Sequence, residues 1–170
     1  DVANRVSLMG GVRTDRVRFE VEDRLVNASN PDDSGRRSLG AISPILGIVA
    51  RLATTHSAYA NVSSAFETPT ATELGNHEDG SAGINQDLKP QRSTTLETGM
   101  KGWIGFHGSY DVALFTTRVK DELVPFEIPG SDGRRFFRNA GSTRRTGAEL
   151  GTHASAGLVS LNLAYSYSHF

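Results

Sequence analysis

The sequence contains no cysteine, so it can build neither a disulfide framework nor a thiolate metal site. It has almost no net charge: 18 Lys and Arg oppose 19 Asp and Glu, a formal −1 at pH 7. A nucleic-acid-binding domain carries a basic footprint, so no nucleic-acid partner is expected. Long apolar runs are missing as well. The longest, Ala41 to Ala53, is interrupted by Arg51, whereas a membrane-crossing helix needs about 18 or more apolar residues. From Asp1 onward there is neither a basic n-region nor an apolar h-region, so no targeting leader is expected within the chain. Hydrophobic content is only 37%, which suits a water-soluble chain. It equally suits a membrane barrel, whose residues alternate between lipid and a polar lumen.

What is present is a period of two. The 170 residues suit one domain, and seven segments alternate as strands do. They centre near Leu8, Ile48, Asn61, Thr98, Leu114, Ala148 and Leu163. In the clearest, Leu161, Leu163, Tyr165 and Tyr167 oppose Ser160, Asn162, Ala164, Ser166 and Ser168. Through the middle of every segment one face has no Asp, Glu, Lys or Arg. The other carries Arg13, Asp15, Arg51, Glu97, Lys101, Asp111, Arg145 and Glu149. A cation facing lipid at mid-bilayer costs about 2–4 kcal/mol, and a lumen-facing one stays hydrated, so this segregation is what a barrel wall requires.

Connections alternate in length. Asp23–Gly40, Glu67–Ser93 and Lys120–Phe137 are long and polar; Ala53–His56, Trp103–Ser109 and His153–Gly157 are short. Outer-membrane barrels have short periplasmic turns and longer extracellular loops, so the long connections are placed outside. Trp103, Phe106, Tyr165 and Tyr167 are candidates for the aromatic girdles. Pro44 conflicts with a central strand because it cannot donate to a ladder; it is accommodated near the extracellular end of the second strand. The expected fold is all-β, a partial antiparallel up-and-down transmembrane barrel of about seven strands in a curved open sheet. A soluble antiparallel sandwich alternates too and is the structural rival.

Four segments carry a resemblance. "AYANVSSAFETPTATEL" (Ala58–Leu74) resembles the strand-to-loop segment of TonB-dependent outer-membrane receptors, and "NQDLKPQRSTTLETGMKG" (Asn85–Gly102) resembles their Asn-x-x-Leu-x-Pro-Glu-Arg entry to the next strand, with Gln91 where Glu is usual. "YDVALFTTRVKDELV" (Tyr110–Val124) and "FRNAGSTRRTGAELG" (Phe137–Gly151) are similar to the two strands that follow, in family order and spacing. The resemblance implies residues 1–170 of a barrel of about 22 strands with a plugged lumen. It implies location in the bacterial outer membrane among its lipids, and energised import of a scarce ligand, most often a ferric siderophore. The TonB complex would act through a plug domain that is not represented here, and the native termini are expected to lie outside the segment. The alternatives are a passive barrel (adhesin or porin) and a soluble β domain.

Candidate sites are few. No Gly-x-Ser-x-Gly elbow or Walker-type glycine loop is present, so no enzyme and no cofactor are expected. His77, Glu78 and Asp79 are adjacent on a loop and rarely converge on one ion in that arrangement, so no metal site is assigned. Asn27-Ala28-Ser29 and Asn61-Val62-Ser63 match glycosylation acceptors and are discounted in a bacterial-type barrel. The sharpest cluster is Arg134, Arg135, Phe136 and Arg138, with Phe137 interleaved. Arginine recognises carboxylates bidentately, which suits an anionic iron chelate held at an extracellular loop. Ion pairs with Asp121, Glu122 or Glu127 are the competing use of the same residues.

Overall fold

The computed structural model describes residues 5–28, 30–77, 81, 83–105, 107–130 and 133–170. Its elements are β1 (Val6–Val21), β2 (Gly35–Ala53), β3 (His56–Glu67), the short helix α1 (Ala71–Leu74), β4 (Gln91–Ile104), β5 (Gly108–Glu127), β6 (Arg135–Ala156) and β7 (Val159–His169). The seven strands form one antiparallel sheet in sequential order, with β1 and β7 as its two edges. That is the up-and-down order expected from the alternation, with no Greek-key crossing.

Register fixes the two faces. Cross-strand partners run Leu8, Ile48, Ala60, Thr98, Leu114, Ala148, Tyr167 in one row. The next row runs Met9, Gly47, Asn61, Glu97, Phe115, Gly147, Ser168. The first row is apolar and the second mostly polar or small, because side chains of a strand alternate across the sheet. From Gln91 to Met100 half-buried and exposed positions alternate, which places the polar row on the crowded, concave side. The convex side shows bare hydrocarbon: Leu8, Leu96 and Leu114 are 76%, 55% and 57% exposed. Such a surface is stable only against lipid or a partner.

On the concave side, aromatic rings lie over cross-strand glycines. Tyr59 is paired with Gly99 and Phe115 with Gly147. A Cβ on Gly99 would sit 2.6 Å from the Tyr59 ring, and one on Gly147 would sit 2.4 Å from Phe115 Cζ. The glycines give these rings room to lie flat along a tightly curved sheet.

Pro44 sits in mid-strand, opposite Val12 of β1, and not near the end of β2 as expected. The ladder from β2 to β3 begins only at Ile45, paired with Ser63. Residues 35–44 of β2 therefore bond to β1 alone. Proline costs no ladder bond where the neighbouring strand has already departed.

The strands are longer than the apolar alternation alone suggested. A membrane-spanning strand needs about 9–11 residues, whereas β5 has 20 and β6 has 22. The surplus extends the β5–β6 hairpin past the apolar band. Pairing skips one position there, where Asp121 has φ 54° and Gly141 has φ 28°, and then resumes to Glu127 opposite Arg135. Trp103 pairs with Ser109 in the polar row, so the register removes it from the lipid-facing girdle. Tyr165 and Tyr167 pair with Leu150 and Ala148 in the apolar row, as a girdle requires. Phe106 lies outside the described residues.

Candidate functional site

The long-loop end of the sheet is organised by the connection from 68 to 90. Thr70 caps α1: its hydroxyl accepts from the Glu73 amide at 3.3 Å, and the Glu73 carboxylate accepts from the Thr70 amide at 2.7 Å. This reciprocal box satisfies two donors that a helix end otherwise leaves open. It drives Leu74 inward to 1% exposure, into a cluster with Ile84 and Leu88. Phe19 of β1, Leu123 of β5 and Phe137 of β6 pack against that cluster. Full burial of an aliphatic side chain contributes roughly 1.5–3 kcal/mol, so three leucine-sized residues anchor the loop firmly.

Polar contacts fix the later part of this connection, residues 85–89, from two sides. The Arg37 guanidinium on β2 donates to the carbonyls of Asn85 and Leu88. Burial lowers its pKa from the ordinary arginine value, and Asp87 nearby works in the opposite direction. Across the mouth, Asn139 of β6 clamps Lys89: its amide nitrogen donates to the Lys89 carbonyl at 2.8 Å, and its oxygen accepts from the Lys89 amide at 2.7 Å. The same amide nitrogen donates to the Asp121 carbonyl at 2.7 Å, holding the irregular point of β5. The Leu123 amide donates to the Gln91 side chain at 3.3 Å, a role that gives Gln91 a structural use in place of the usual glutamate. The loop is thus a strut tied to β1 and β2 on one side and to β5 and β6 on the other.

Beside the strut is a cleft of about 410 Å³ lined by His77, Asp87, Lys89, Asp121, Arg138 and Asn139, among others. The size falls at the low end of the range for small-molecule sites, about 300–1,000 Å³. Its lining mixes two cations, two carboxylates and two side-chain amides, so a bound group would meet donors and acceptors together. His77 is occupied by a ring-nitrogen contact to the Gly83 carbonyl at 2.9 Å. Glu78 and Asp79, the other members of the acidic triplet, lie outside the described residues, and so does Ser29 of the first glycosylation-type motif. Asn61 of the second is in mid-strand with Glu97 as its partner at 3.4 Å. Among the described residues no group of three His, Cys, Asp or Glu could hold a metal ion.

The expected arginine cluster is split by the pleat. Lys120–Phe137 is not a continuous loop: β5 runs to Glu127 and β6 starts at Arg135. Arg135 faces Glu127 across the hairpin, Nε to Oε1 at 4.0 Å, one of the ion pairs weighed against ligand recognition. Phe136 is 5% exposed and packs on Phe126 with ring centroids 6.0 Å apart, so it presents no free face to a ligand. Phe137 turns the other way, into the loop cluster. Arg138 stacks over the Phe126 ring at 5.0 Å and borders the cleft. Arg134 is exposed immediately before β6. Of the four candidates, only Arg138 lines the cleft. Sequence reasoning missed Lys89, Asn139 and Arg37, although the Thr-x-x-Glu of 70–73 is a capping signature that marks an ordered loop.

The family of the chain follows from comparison. Residues 1–170 match the family described as TonB dependent receptor-like, beta-barrel. The chain belongs to that family. Its sheet is the wall of an outer-membrane β-barrel, and the soluble-domain rival is set aside. Solved structures with the same fold include a copper transporter, OprC, with 24% identity over 96% of this chain and TM-score 0.73. An FrpB iron transporter from Neisseria meningitidis gives 22%, 96% and 0.68. The alcaligin outer-membrane receptor FauA from Bordetella pertussis gives 21%, 99% and 0.66. This chain covers 26%, 23% and 28% of those proteins, about a quarter of each receptor.

Proposed function

We propose that the chain is seven consecutive wall strands of a TonB-dependent importer whose cargo is a ferric siderophore. β1 and β7 would pair with further barrel strands, since an open edge in lipid leaves backbone groups unsatisfied. The concave polar row would face a plug domain, through which the TonB complex acts. The reading rests chiefly on the strut-bordered cleft at the long-loop end, with Lys89 and Arg138 as cations and Asn139 as a hydrogen-bonding amide. Anionic oxygens of a chelate suit such donors, and a guanidinium meets a carboxylate in two parallel bonds. Phe126, itself packed on Phe136, lies beneath the Arg138 guanidinium and positions it. Arg134 and Arg135 add positive charge at the approach. Neighbours named as siderophore receptors and as iron transporters accord with iron cargo.

The test is titration of purified full-length receptor with catecholate, hydroxamate and carboxylate ferric siderophores, and with copper(II) as a comparison. One siderophore class should bind saturably. Arg138→Ala should weaken it about tenfold or more, as loss of a hydrogen bond to a charged group costs roughly 1.5–3 kcal/mol. Binding of copper alone, or unchanged affinity in the variant, would reject this assignment.

A further inference from the structure

The cleft beside the strut carries charges of both signs that do not neutralise one another by contact. Among the described residues its cations are Lys89 and Arg138 and its carboxylates Asp87 and Asp121, a formal balance of zero. None of the four is in an ion pair among the described residues. Each is held by something other than an opposite charge. The Arg138 guanidinium lies over the Phe126 ring, 5.0 Å from its centroid. Asp121 stands where the β5 backbone takes φ 54°, a left-handed conformation that aspartate adopts more readily than most residues. One amide, that of Asn139, ties the main chains of Lys89 and Asp121 together: it donates to the Lys89 carbonyl at 2.8 Å and to the Asp121 carbonyl at 2.7 Å. A residue bearing a cation and one bearing a carboxylate are thereby kept at a fixed spacing. Asp87 is set by its own amide, which donates to the Asn85 side chain at 2.9 Å. Arg37 acts on Asp87 through charge. Its terminal nitrogens are spent on the carbonyls of Asn85 and Leu88, so the Asp87 carboxylate is not closed off by it.

Such a cleft selects by the pattern of charge. A purely anionic group gains Lys89 and Arg138 but is brought up against Asp87 and Asp121, and like charges placed together oppose binding. A purely cationic group meets the converse. A group carrying both signs satisfies both pairs, and a wrong partner is rejected as actively as the right one is held. At about 410 Å³ the cleft is at the small end of the range for ligand sites. It suits a headgroup, with the iron-binding core of a larger chelate outside it.

We propose that the cleft recognises a zwitterionic, amino-acid-type headgroup on the cargo. Lys89 and Arg138 hold its carboxylate, and Asp87 and Asp121 hold its ammonium. The inference rests on the importer reading and narrows it to ferric chelates whose rim carries a protonated amine beside a carboxylate. Asp87 and Asp121 then determine specificity, because they turn away chelates that are only anionic.

The experiment titrates purified full-length receptor at neutral pH with four ferric trihydroxamates that share one iron core and differ at one end. The ends are a primary amine, its N-acetyl form, its succinyl form, and the amine acylated by the side-chain carboxyl of aspartic acid, which leaves an α-amine and an α-carboxylate free. The amino-acid end should bind at least about tenfold tighter than each of the others. Asp87→Asn with Asp121→Asn should erase its advantage over the succinyl form; asparagine accepts the left-handed backbone at 121 as aspartate does. Lys89→Gln should erase much of its advantage over the amine form. Glu20→Gln with Glu22→Gln removes two carboxylates outside the cleft and should keep the wild-type ranking. Where a cleft variant fails to assemble, the wild-type ranking decides alone. Tightest binding by another end, equal binding by all four, or binding of none would overturn the proposal, as would an unchanged ranking in the assembled double aspartate variant. The importer reading fails separately, when no catecholate, hydroxamate or carboxylate ferric siderophore binds.

Discussion

Leu163 and Asn162 are neighbours on β7 with opposite surroundings, and an arginine at each should separate lipid from lumen. The turn at Gly157 and Leu158 precedes β7, and Leu163 lies four residues past Val159. At about 3.3 Å per residue and a tilt near 45°, that places it about 10–12 Å above the turn. An apolar band about 25 Å tall then has its middle near this residue. Leu163 pairs with Thr152 in the apolar row and is 54% exposed, with hydrocarbon as its only suitable environment. Leu163→Arg should cost roughly 2–4 kcal/mol. Asn162 is on the concave side and contacts His153 Nδ1 at 2.8 Å. Asn162→Arg loses that exposed bond, worth about 0.5–1.5 kcal/mol, and its charge stays wet. The two variants should therefore differ by about 0.5–3.5 kcal/mol, with the centre of that range near 2 kcal/mol, roughly thirtyfold in folding equilibrium. The assay is urea refolding of full-length receptor into vesicles, with heat-modifiable gel mobility reporting assembly. Equal midpoints and equal yields would refute the facing of every strand, because one register links them all.

Three further outcomes are expected. Gly147→Val places a Cβ 2.4 Å from both the Tyr167 carbonyl and Phe115, so the receptor should unfold at lower denaturant by roughly 1–3 kcal/mol, whereas Gly151→Ala, with nothing within 4 Å, should melt as wild type. Arg37→Ala removes the donors to Asn85 and Leu88, so limited proteolysis of intact cells should cut within 68–90 faster; an unchanged rate would mean the strut is held elsewhere. Arg134→Ala with Arg135→Ala should weaken cargo binding modestly and flatten its salt dependence, since exposed charges act within a Debye length of about 8–10 Å; an unchanged salt slope would assign Arg135 wholly to Glu127.

The wall was legible because its physics is periodic. A two-residue alternation with charges confined to one side fixed the faces of all seven strands, and the short turns at Thr54, Gly105 and Gly157 fell where expected. Strand length was less legible. Beyond the bilayer, lipid no longer imposes alternation, so the continuation of β5 through Leu123–Glu127 and of β6 through Arg135–Phe137 reads like loop. Pro44 was interpretable only once the β2–β3 ladder was seen to begin after it. The cleft was least legible, because Arg37, Asn139 and Lys89 are brought together from positions 50 or so apart by a loop whose fold depends on buried Leu74, Ile84 and Leu88. Adjacent arginines drew attention for their density in sequence, whereas the pleat sends neighbours to opposite faces.

The claim that matters most is energised import. Cells carrying the full-length receptor should be supplied with radio-iron on the siderophore that it binds, with and without functional TonB. Accumulation should be saturable, depend on TonB, and fall in Arg138→Ala at normal receptor abundance. Binding followed by uptake that persists without TonB, or no accumulation of any bound iron chelate, would contradict the importer reading.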